Sequence, residues 1–396
     1  MPWKECNRMD ERLRFVARLL DGEKMASLCR EFGISRKTGY KIFNRYKDEG
    51  LRGLEDRDRS PYRHPNRLPF QVETAILRIK REHMSWGAPK IREKLIKLHP
   101  AIKPPATSTI HATLDRHGLV KRRKRRRYKA EGTALSNARV PNALWCADYK
   151  GQFRLGNRRY CYPLTVSDYR SRYLLACEGL ESTREAGAFP VFERVFREFG
   201  LPAAIRTDNG VPFASPHALF GMSRLAVWWL RLGIAIERIK PGHPQQNGRH
   251  ERMHLTLKQE TTRPPAYNFL QQQARFDDFI KGYNQDRPHQ ALGGKYPGEV
   301  YTPSAREYHH PEVPEYPFHD RTIQVTQCGR ICIGRRKINL STVFGGQYVG
   351  IREVADQVWL VSFMEYDLGF FDQDENRVEP VGHNPFAPKV LPMSSE

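Results

Sequence analysis

Apolar positions change their spacing several times along this chain, and each change marks a different kind of element. Over 9–20, MDERLRFVARLL places Leu13, Val16, Ala17 and Leu20 at helical spacing. Gly22 ends that stretch, KMASLCREFG makes a short second helix stopped at Gly33, and Ser35 caps a third helix over 35–49. On the third helix Gly39, Ile42, Phe43 and Tyr46 share one face, and Arg36, Lys37, Tyr40, Lys41 and Asn44 share the other. A recognition helix in the major groove needs that split, one side packed and one side basic and hydrogen-bonding. Residues 1–57 are therefore expected to form a helix-turn-helix DNA-binding domain, with Arg36, Lys37, Tyr40 and Lys41 facing DNA. A solvated helix in any small bundle is the rival account of the same pattern.

A polar, proline-containing linker (56–69) leads to three more helical runs, QVETAILRIKREH, APKIREKLIKLH and TSTIHATLDRHG. They predict a second helix-turn-helix DNA-binding domain over 66–120, the last run facing the groove. A basic linker follows at 121–139. Lys121, Arg122, Arg123, Lys124, Arg125, Arg126 and Arg127 are seven consecutive cations. Such a run repels itself until phosphate neutralises it, so a DNA-tracking role is expected; a nuclear localisation signal is the competing account.

From about 140 to 305 the spacing alternates between period two and helical. LWCADYKGQF reads as a strand. RRYCYPLTVSD sets Tyr160, Tyr162, Leu164 and Val166 at period two, and RYLLACEGL follows the turn at DYRS. TREAGAFPVFERVFREFG is an amphipathic helix facing Phe189, Phe192, Val195, Phe196 and Phe199 inward, and AAIRT is a short buried strand. Three sheet segments followed by helix–strand–helix predict a mixed sheet covered by helices. After Pro311, Pro314 and Pro317, short alternating runs over 320–376 predict a small β-barrel, and 377–396 a flexible tail.

Composition narrows the function. A length of 396 residues suggests two to four domains, and a net charge of +22 favours a polyanionic partner. No apolar run approaches the ~20 residues a spanning helix needs, so nucleic acid is expected and membrane is not. The start of the chain, MPWKECNRMDERLR, has no apolar segment of signal-peptide type. Seven scattered cysteines read as reduced thiols of a reducing compartment.

The candidate chemistry lies in three acids. Asp148 sits in a strand-like run, Asp208 ends AAIRTDNG, and Glu251 lies in the helical PQQNGRHERMHLTLK, with 60 and 43 residues between successive members. Each alone is most simply a turn or surface carboxylate. Brought together from two strands and a crossing helix, three carboxylates can hold two hard divalent cations roughly 3.5–4 Å apart, as in-line displacement at phosphate requires.

With WCADYKG, TDNGVPFA, PGHPQQNGRHERMHLTLK and YNQDRPHQALGGKYPGEVY in view, the chain from Arg12 to about Asp374 resembles the DDE transposases and integrases of bacterial insertion sequences, relatives of retroviral integrases. The resemblance implies an α/β ribonuclease-H-like integrase catalytic core over 140–305. It makes Asp148, Asp208 and Glu251 the catalytic and metal-binding triad, and it places Lys258, with Arg252, against DNA near the cleavage site. It implies two Mg²⁺ ions per active site, with Mn²⁺ able to substitute. It also implies transposon-end and target double-stranded DNA as partners, a homo-oligomeric synaptic complex and a bacterial cytoplasmic setting, and it leaves open whether an accessory ATPase or regulator takes part. One departure is visible: the Asp208–Glu251 spacing is longer than the family usually shows, as if SPHALFGMSR (215–224) were inserted.

Three rival readings are set against this. His250-Glu251-Arg252-Met253-His254 matches the H-E-x-x-H zinc-peptidase pattern, but Asn247-Gly248 before it and the DNA-binding modules weigh against a peptidase. His309, His310, Cys328 and Cys332 follow the order of a zinc module without the short regular spacing that structural zinc uses, and ordinary buried or half-buried thiols are expected there. A catalytically silent DNA-binding regulator is the alternative from another functional class. Asp168, opening DYRSR, is expected to serve a hairpin turn.

Overall fold

A computed structural model of the chain describes residues 8–56, 68–120, 135, 138–240, 243–372 and 377–386, so the basic run 121–127 lies outside the described residues. The chain forms two compact units, Met1–Pro69 and Phe70–Glu396.

The first unit packs α1 (Arg8–Leu20), α2 (Met25–Glu31) and α3 (Arg36–Glu49) around Phe15, Val16, Leu28, Cys29 and Leu54. The helical period of α1 holds, but its buried face is rotated from the expected one. Leu13 and Leu20 are exposed, and Phe15 goes inward to meet the edge of Phe32 at 5.4 Å. One aromatic ring buries more apolar area than either leucine, so it sets the face. Ser35 caps α3 by accepting from the Thr38 N–H at 3.1 Å. Gly39 lets α3 lie close on α2: a Cβ there would stand 2.5 Å from Cys29 Sγ.

The second unit begins with α4 (Phe70–Glu82), α5 (Ala88–Leu98) and α6 (Thr107–Arg116), which bury Ile76, Ile79, Ile91, Leu95, Ile110 and Leu114. Polar ties join this bundle to the rest of the unit: Ser85 to Glu260 at 2.8 Å, Lys94 to Asp286 at 3.1 Å and Lys97 to Glu299 at 2.5 Å.

The central sheet contains β1 (Trp145–Tyr149), β2 (Phe153–Arg154), β3 (Tyr160–Asp168), β4 (Leu174–Leu180), β5 (Ala204–Thr207) and β6 (Ala235–Arg238). β4, β3 and β1 are antiparallel neighbours, β1, β5 and β6 are parallel ones, and β2 pairs with the start of β3. The order β4-β3-β1-β5-β6 is that of a ribonuclease-H-like sheet. The run expected as one strand, 144–153, breaks at Lys150, whose N–H bonds Pro163 O at 2.9 Å.

Helices cover both faces. α7 (Glu185–Phe199) and α8 (Arg224–Arg231) pack Phe192, Phe196, Leu225 and Trp229 on Trp145, Leu164, Val166 and Ile205. On the other face α9 (Gly248–Thr261) and α10 (Phe269–Gln285) pack Met253, Leu257, Phe276 and Tyr283 on Cys161, Leu174 and Cys177. A sheet covered twice buries strand residues of both parities, hence β3 is closed on both sides. A short α11 (Pro297–Val300) ends this region.

The C-terminal part is an antiparallel sheet of β7 (Arg321–Gln324), β10 (Tyr348–Ala355), β11 (Val358–Phe363), β12 (Tyr366–Asp372) and β13 (Glu379–Pro380), with the hairpin β8 (Arg330–Ile333) and β9 (Arg336–Asn339) linked to it by a bridge from Asn339 to Arg377. It shares one apolar core with the central sheet, reaching from Trp145 to Phe371. The flexible tail expected from 377 onward does not start there. β13 pairs with β12, and Phe386 is buried against Tyr366 and Phe220, because an aromatic ring at an open sheet edge gains by covering it.

Candidate active site

β1 and β5 lie side by side and parallel, with Trp145 opposite Ile205 and Cys146 opposite Arg206. Asp148 is thus near the end of β1 and Asp208 follows the end of β5, on the edge where neighbouring parallel strands both finish. Below Asp208 the strand is held by a buried ion pair: the Arg206 guanidinium donates to Glu237 Oε1 on β6 at 2.8 Å. Asp208 Oδ1 accepts from the Gly210 N–H at 3.1 Å, and Asn209 Nδ2 donates to Ile239 O at 2.7 Å, which fixes the TDNG turn.

Glu251 stands exposed in the first turn of α9. Burial pushes the Asp148 carboxyl up to about 7, and the charges of Asp208 and Glu251 push in the same direction. Burial raises Asp208 as well, opposed by its bond to Gly210. Asp148 therefore lies within electrostatic reach of Asp208 and, more weakly, of Glu251. Among the described residues no three His, Cys, Asp or Glu side chains are closed into a ready ligand set. The donor chemistry nonetheless suits a hard cation: the groups are oxygen-only, and a buried carboxyl facing two like charges is relieved by divalent positive charge. Lys150 lies beside Asp148, and Lys258 acts on Lys150. Burial and the charge of Lys258 lower the Lys150 ammonium, while Asp148 raises it.

The two histidines of HERMH point their Nε2 atoms at β3. His250 and His254 are buried, and each Nε2 lies 2.7 Å from Thr165 Oγ1 on β3. Thr165 Oγ1 in turn donates to Asp148 O at 3.0 Å, and Ser167 Oγ lies 2.9 Å from His250 Nδ1. A hydroxyl has one proton and two lone pairs. With the proton on Asp148 O, both imidazoles are Nε2–H donors to Thr165, and Ser167 donates to His250 Nδ1. Burial drives His250 down to about 3 and His254 well below the usual range, so both are neutral. His254 Nδ1 faces Asp148 Oδ2 at 3.7 Å. Thr165, Ser167 and Lys150 are site residues that the sequence reading did not name. The available signal was in RRYCYPLTVSD, where Thr165 and Ser167 alternate with the apolar Leu164 and Val166 and need hydrogen-bond partners once covered.

The other expected positions fall as follows. Arg36, Lys37, Tyr40 and Lys41 are all exposed on α3, opposite the packed Gly39 face. Arg252 and Lys258 are exposed on α9. Lys121, Arg122, Arg123, Lys124, Arg125, Arg126 and Arg127 lie outside the described residues. Asp168 is buried and accepts from Ser171 N–H at 2.7 Å, Ser171 Oγ at 2.6 Å and Asn142 N–H at 2.8 Å, which ties the β3–β4 turn. Cys328 and Cys332, expected buried or half-buried, are exposed: Cys328 precedes β8, and Cys332 lies on β8 opposite Lys337 of β9.

Comparison with known proteins adds families to this geometry. Residues 138–244 and 232–297 each match an integrase core domain family, 11–62 a helix-turn-helix domain family and 38–114 a homeodomain-like domain family. An uncharacterized 39.2 kDa protein of insertion element IS476 from Xanthomonas euvesicatoria is 26% identical over 69% of this chain and 77% of its own length. An uncharacterized 31.7 kDa protein of insertion element IS407 from Burkholderia multivorans is 27% identical over 51% of this chain and 73% of its own. Among solved structures, a simian T-cell lymphotropic virus intasome in complex with PP2A regulatory subunit B56 gamma is 15% identical, covering 73% of this chain and 96% of that chain at a TM-score of 0.37.

Proposed function

We propose that this chain, which belongs to the DDE transposase and integrase family, cleaves the ends of a mobile DNA element and joins the freed 3′ ends to target DNA. DNA transposition by an integrase-like activity, and membership of a polynucleotidyl transferase family, follow from the integrase core and the insertion-element relatives. The finer reading rests above all on one observation: Asp148 feels the charges of both Asp208 and Glu251 although the three come from two strands and a helix far apart in sequence.

Asp148, Asp208 and Glu251 would hold the family's divalent cations. Bound there, two Mg²⁺ ions, or Mn²⁺ in their place, would supply Lewis-acid stabilisation of the entering and leaving oxygens of an in-line displacement. The chain's own residues do the rest. Lys150 and Lys258 present positive charge beside the carboxylates, where a scissile phosphate would lie. Thr165, His250 and His254 hold α9 on β3 and so fix where Glu251 starts. In cleavage a water oxygen replaces the 3′ oxygen on phosphorus, and in joining the freed 3′ oxygen replaces another 3′ oxygen. No side chain becomes covalently attached.

Double-stranded end and target DNA are the partners this reading requires, with the exposed face of α3 offered to the end. Two ends must be held together, so a homo-oligomeric synaptic complex is part of the proposal. Among the described residues no helix is long and apolar enough to cross a membrane. The test is incubation of the purified chain with a duplex carrying the element's terminal sequence and a plasmid target. Mg²⁺-dependent cleavage and joined products, lost in EDTA, are expected. Binding without either product in Mg²⁺ or Mn²⁺ would refute the reading.

A further inference from the structure

One cluster of cations in the second unit is not absorbed by the three carboxylates or by α3. Lys90 on α5 is half-buried, and among the described residues its ammonium makes no hydrogen bond or ion pair. Burial, with the guanidinium groups of Arg287 and Arg252, brings it down to about 7 against the opposing pull of the Glu260 carboxylate. Arg172, in the β3–β4 turn at a φ of 65°, is the next member. Its Nε is buried without a partner among the described residues, and it feels Arg249 and Arg252. Arg287 is buried and is the one member with an anionic contact, donating to Glu260 at 2.9 Å.

Arg252 thus stands within electrostatic reach of both Lys90 and Arg172, and Glu260 is the carboxylate that faces Lys90 and Arg287. The arrangement differs from that of Lys80, which is also buried but donates to Met84 O at 2.7 Å and Trp86 O at 2.8 Å. Lys80 is satisfied within its own bundle, whereas Lys90 and Arg172 are not. Gathering like charges in a partly desolvated place costs stability unless something anionic completes it. The members come from α5 of the second helical bundle, from the β3–β4 turn, from α9 beside Glu251 and from the segment after α10. Ser85 of the α4–α5 turn and Arg287 both bond Glu260 of α9, so the second bundle meets the helix that carries Glu251 at this place.

We propose that Lys90, Arg172, Arg252 and Arg287 form a seat for consecutive phosphates of double-stranded DNA between the second helical bundle and the active site. The inference rests on the reading of the chain as a DNA transposase, and it assigns that reading a specific track. Phosphate contacts of this kind fix register and carry no base preference.

The test uses the full chain and a fluorescent duplex of mixed sequence, with dissociation constants measured across a salt series. Lys90→Met and Arg172→Gln should each lower the slope of log K against log salt by about 0.9, the share of one phosphate contact. Lys90→Arg should restore it. Without DNA, both neutral variants should melt no lower than wild type, because each removes a like charge from the cluster. An unchanged slope in either folded variant would overturn the seat. Loss of the fold in both would overturn it too, since the cations would then be structural. Strand transfer by the wild-type preparation is measured in parallel. Its failure would count against the proposed reaction and leave the salt slope, which needs no catalysis, to decide the seat.

Discussion

Nε2 of His254 and Oγ1 of Thr165 stand 2.7 Å apart across the packing of α9 on β3, and His250 Nε2 reaches the same oxygen at the same distance. That single hydroxyl assigns both histidines of HERMH to holding a helix in place. It also links the helix that carries Glu251 to the strand that carries Asp148, through the bond from Thr165 to Asp148 O.

Thr165→Val should therefore cost more than the loss of one hydroxyl. It leaves two buried imidazole N–H groups without an acceptor, at about 1–3 kcal/mol for each. The denaturation midpoint should fall, strand transfer should fall with it, and Thr165→Ser should recover most of both. A valine variant as stable and active as wild type would show that the hub is incidental.

The histidines themselves give a second expectation. Elemental analysis of the purified chain should find no stoichiometric zinc. His250→Ala combined with His254→Ala should lower stability yet keep measurable strand transfer where Glu251→Gln keeps none. Zinc at one equivalent, lost in the double variant, would restore the peptidase reading.

How much of this could be read in the sequence depended on the range of the interactions concerned. The face of α3 was legible because it follows from local spacing, with Gly39 inward and Arg36, Lys37, Tyr40 and Lys41 outward. The three acids could be proposed as a site because WCADYKG, TDNG and NGRHE surround them. The face of α1 was misread because Leu13 and Leu20 have the right period, and only the tertiary contact between Phe15 and Phe32 decides which side is covered. Thr165 was not seen because its role exists only once α9 crosses β3. β13 was not seen because a two-residue strand has no period, and its pairing with Gly369 and Phe370 is supplied by β12.

Asp148 makes a pH-dependent expectation. Its folded value of about 7 lies above the ordinary 3.8, so the folded chain keeps a proton that the unfolded chain has lost. In EDTA, stability should fall as pH rises from about 4 to about 7 and then level off. Asp148→Asn carries no such penalty. It should match wild type at the acid end and exceed it by a few kcal/mol above pH ~7. Melting curves in EDTA at both ends of that range check this, and a constant difference between the two proteins would contradict it.

The recognition helix is tested by competition. Arg36→Ala with Lys37→Ala should lose preference for the native end more than general DNA affinity, since one good bidentate base contact discriminates by about 1–3 kcal/mol. A uniform loss on native and scrambled duplexes would mean that these side chains touch only phosphates.

The central claim, that Asp148, Asp208 and Glu251 act together on phosphate, is tested most directly by strand transfer in Mg²⁺ with Asp148→Asn, Asp208→Asn and Glu251→Gln, each assayed beside its affinity for end DNA. The account predicts that all three lose cleavage and joining while binding the duplex nearly as wild type does, because each substitution leaves α3 and the cations Arg252 and Lys258 unchanged. Near wild-type joining by any one of the three would remove that residue from the site and contradict the account.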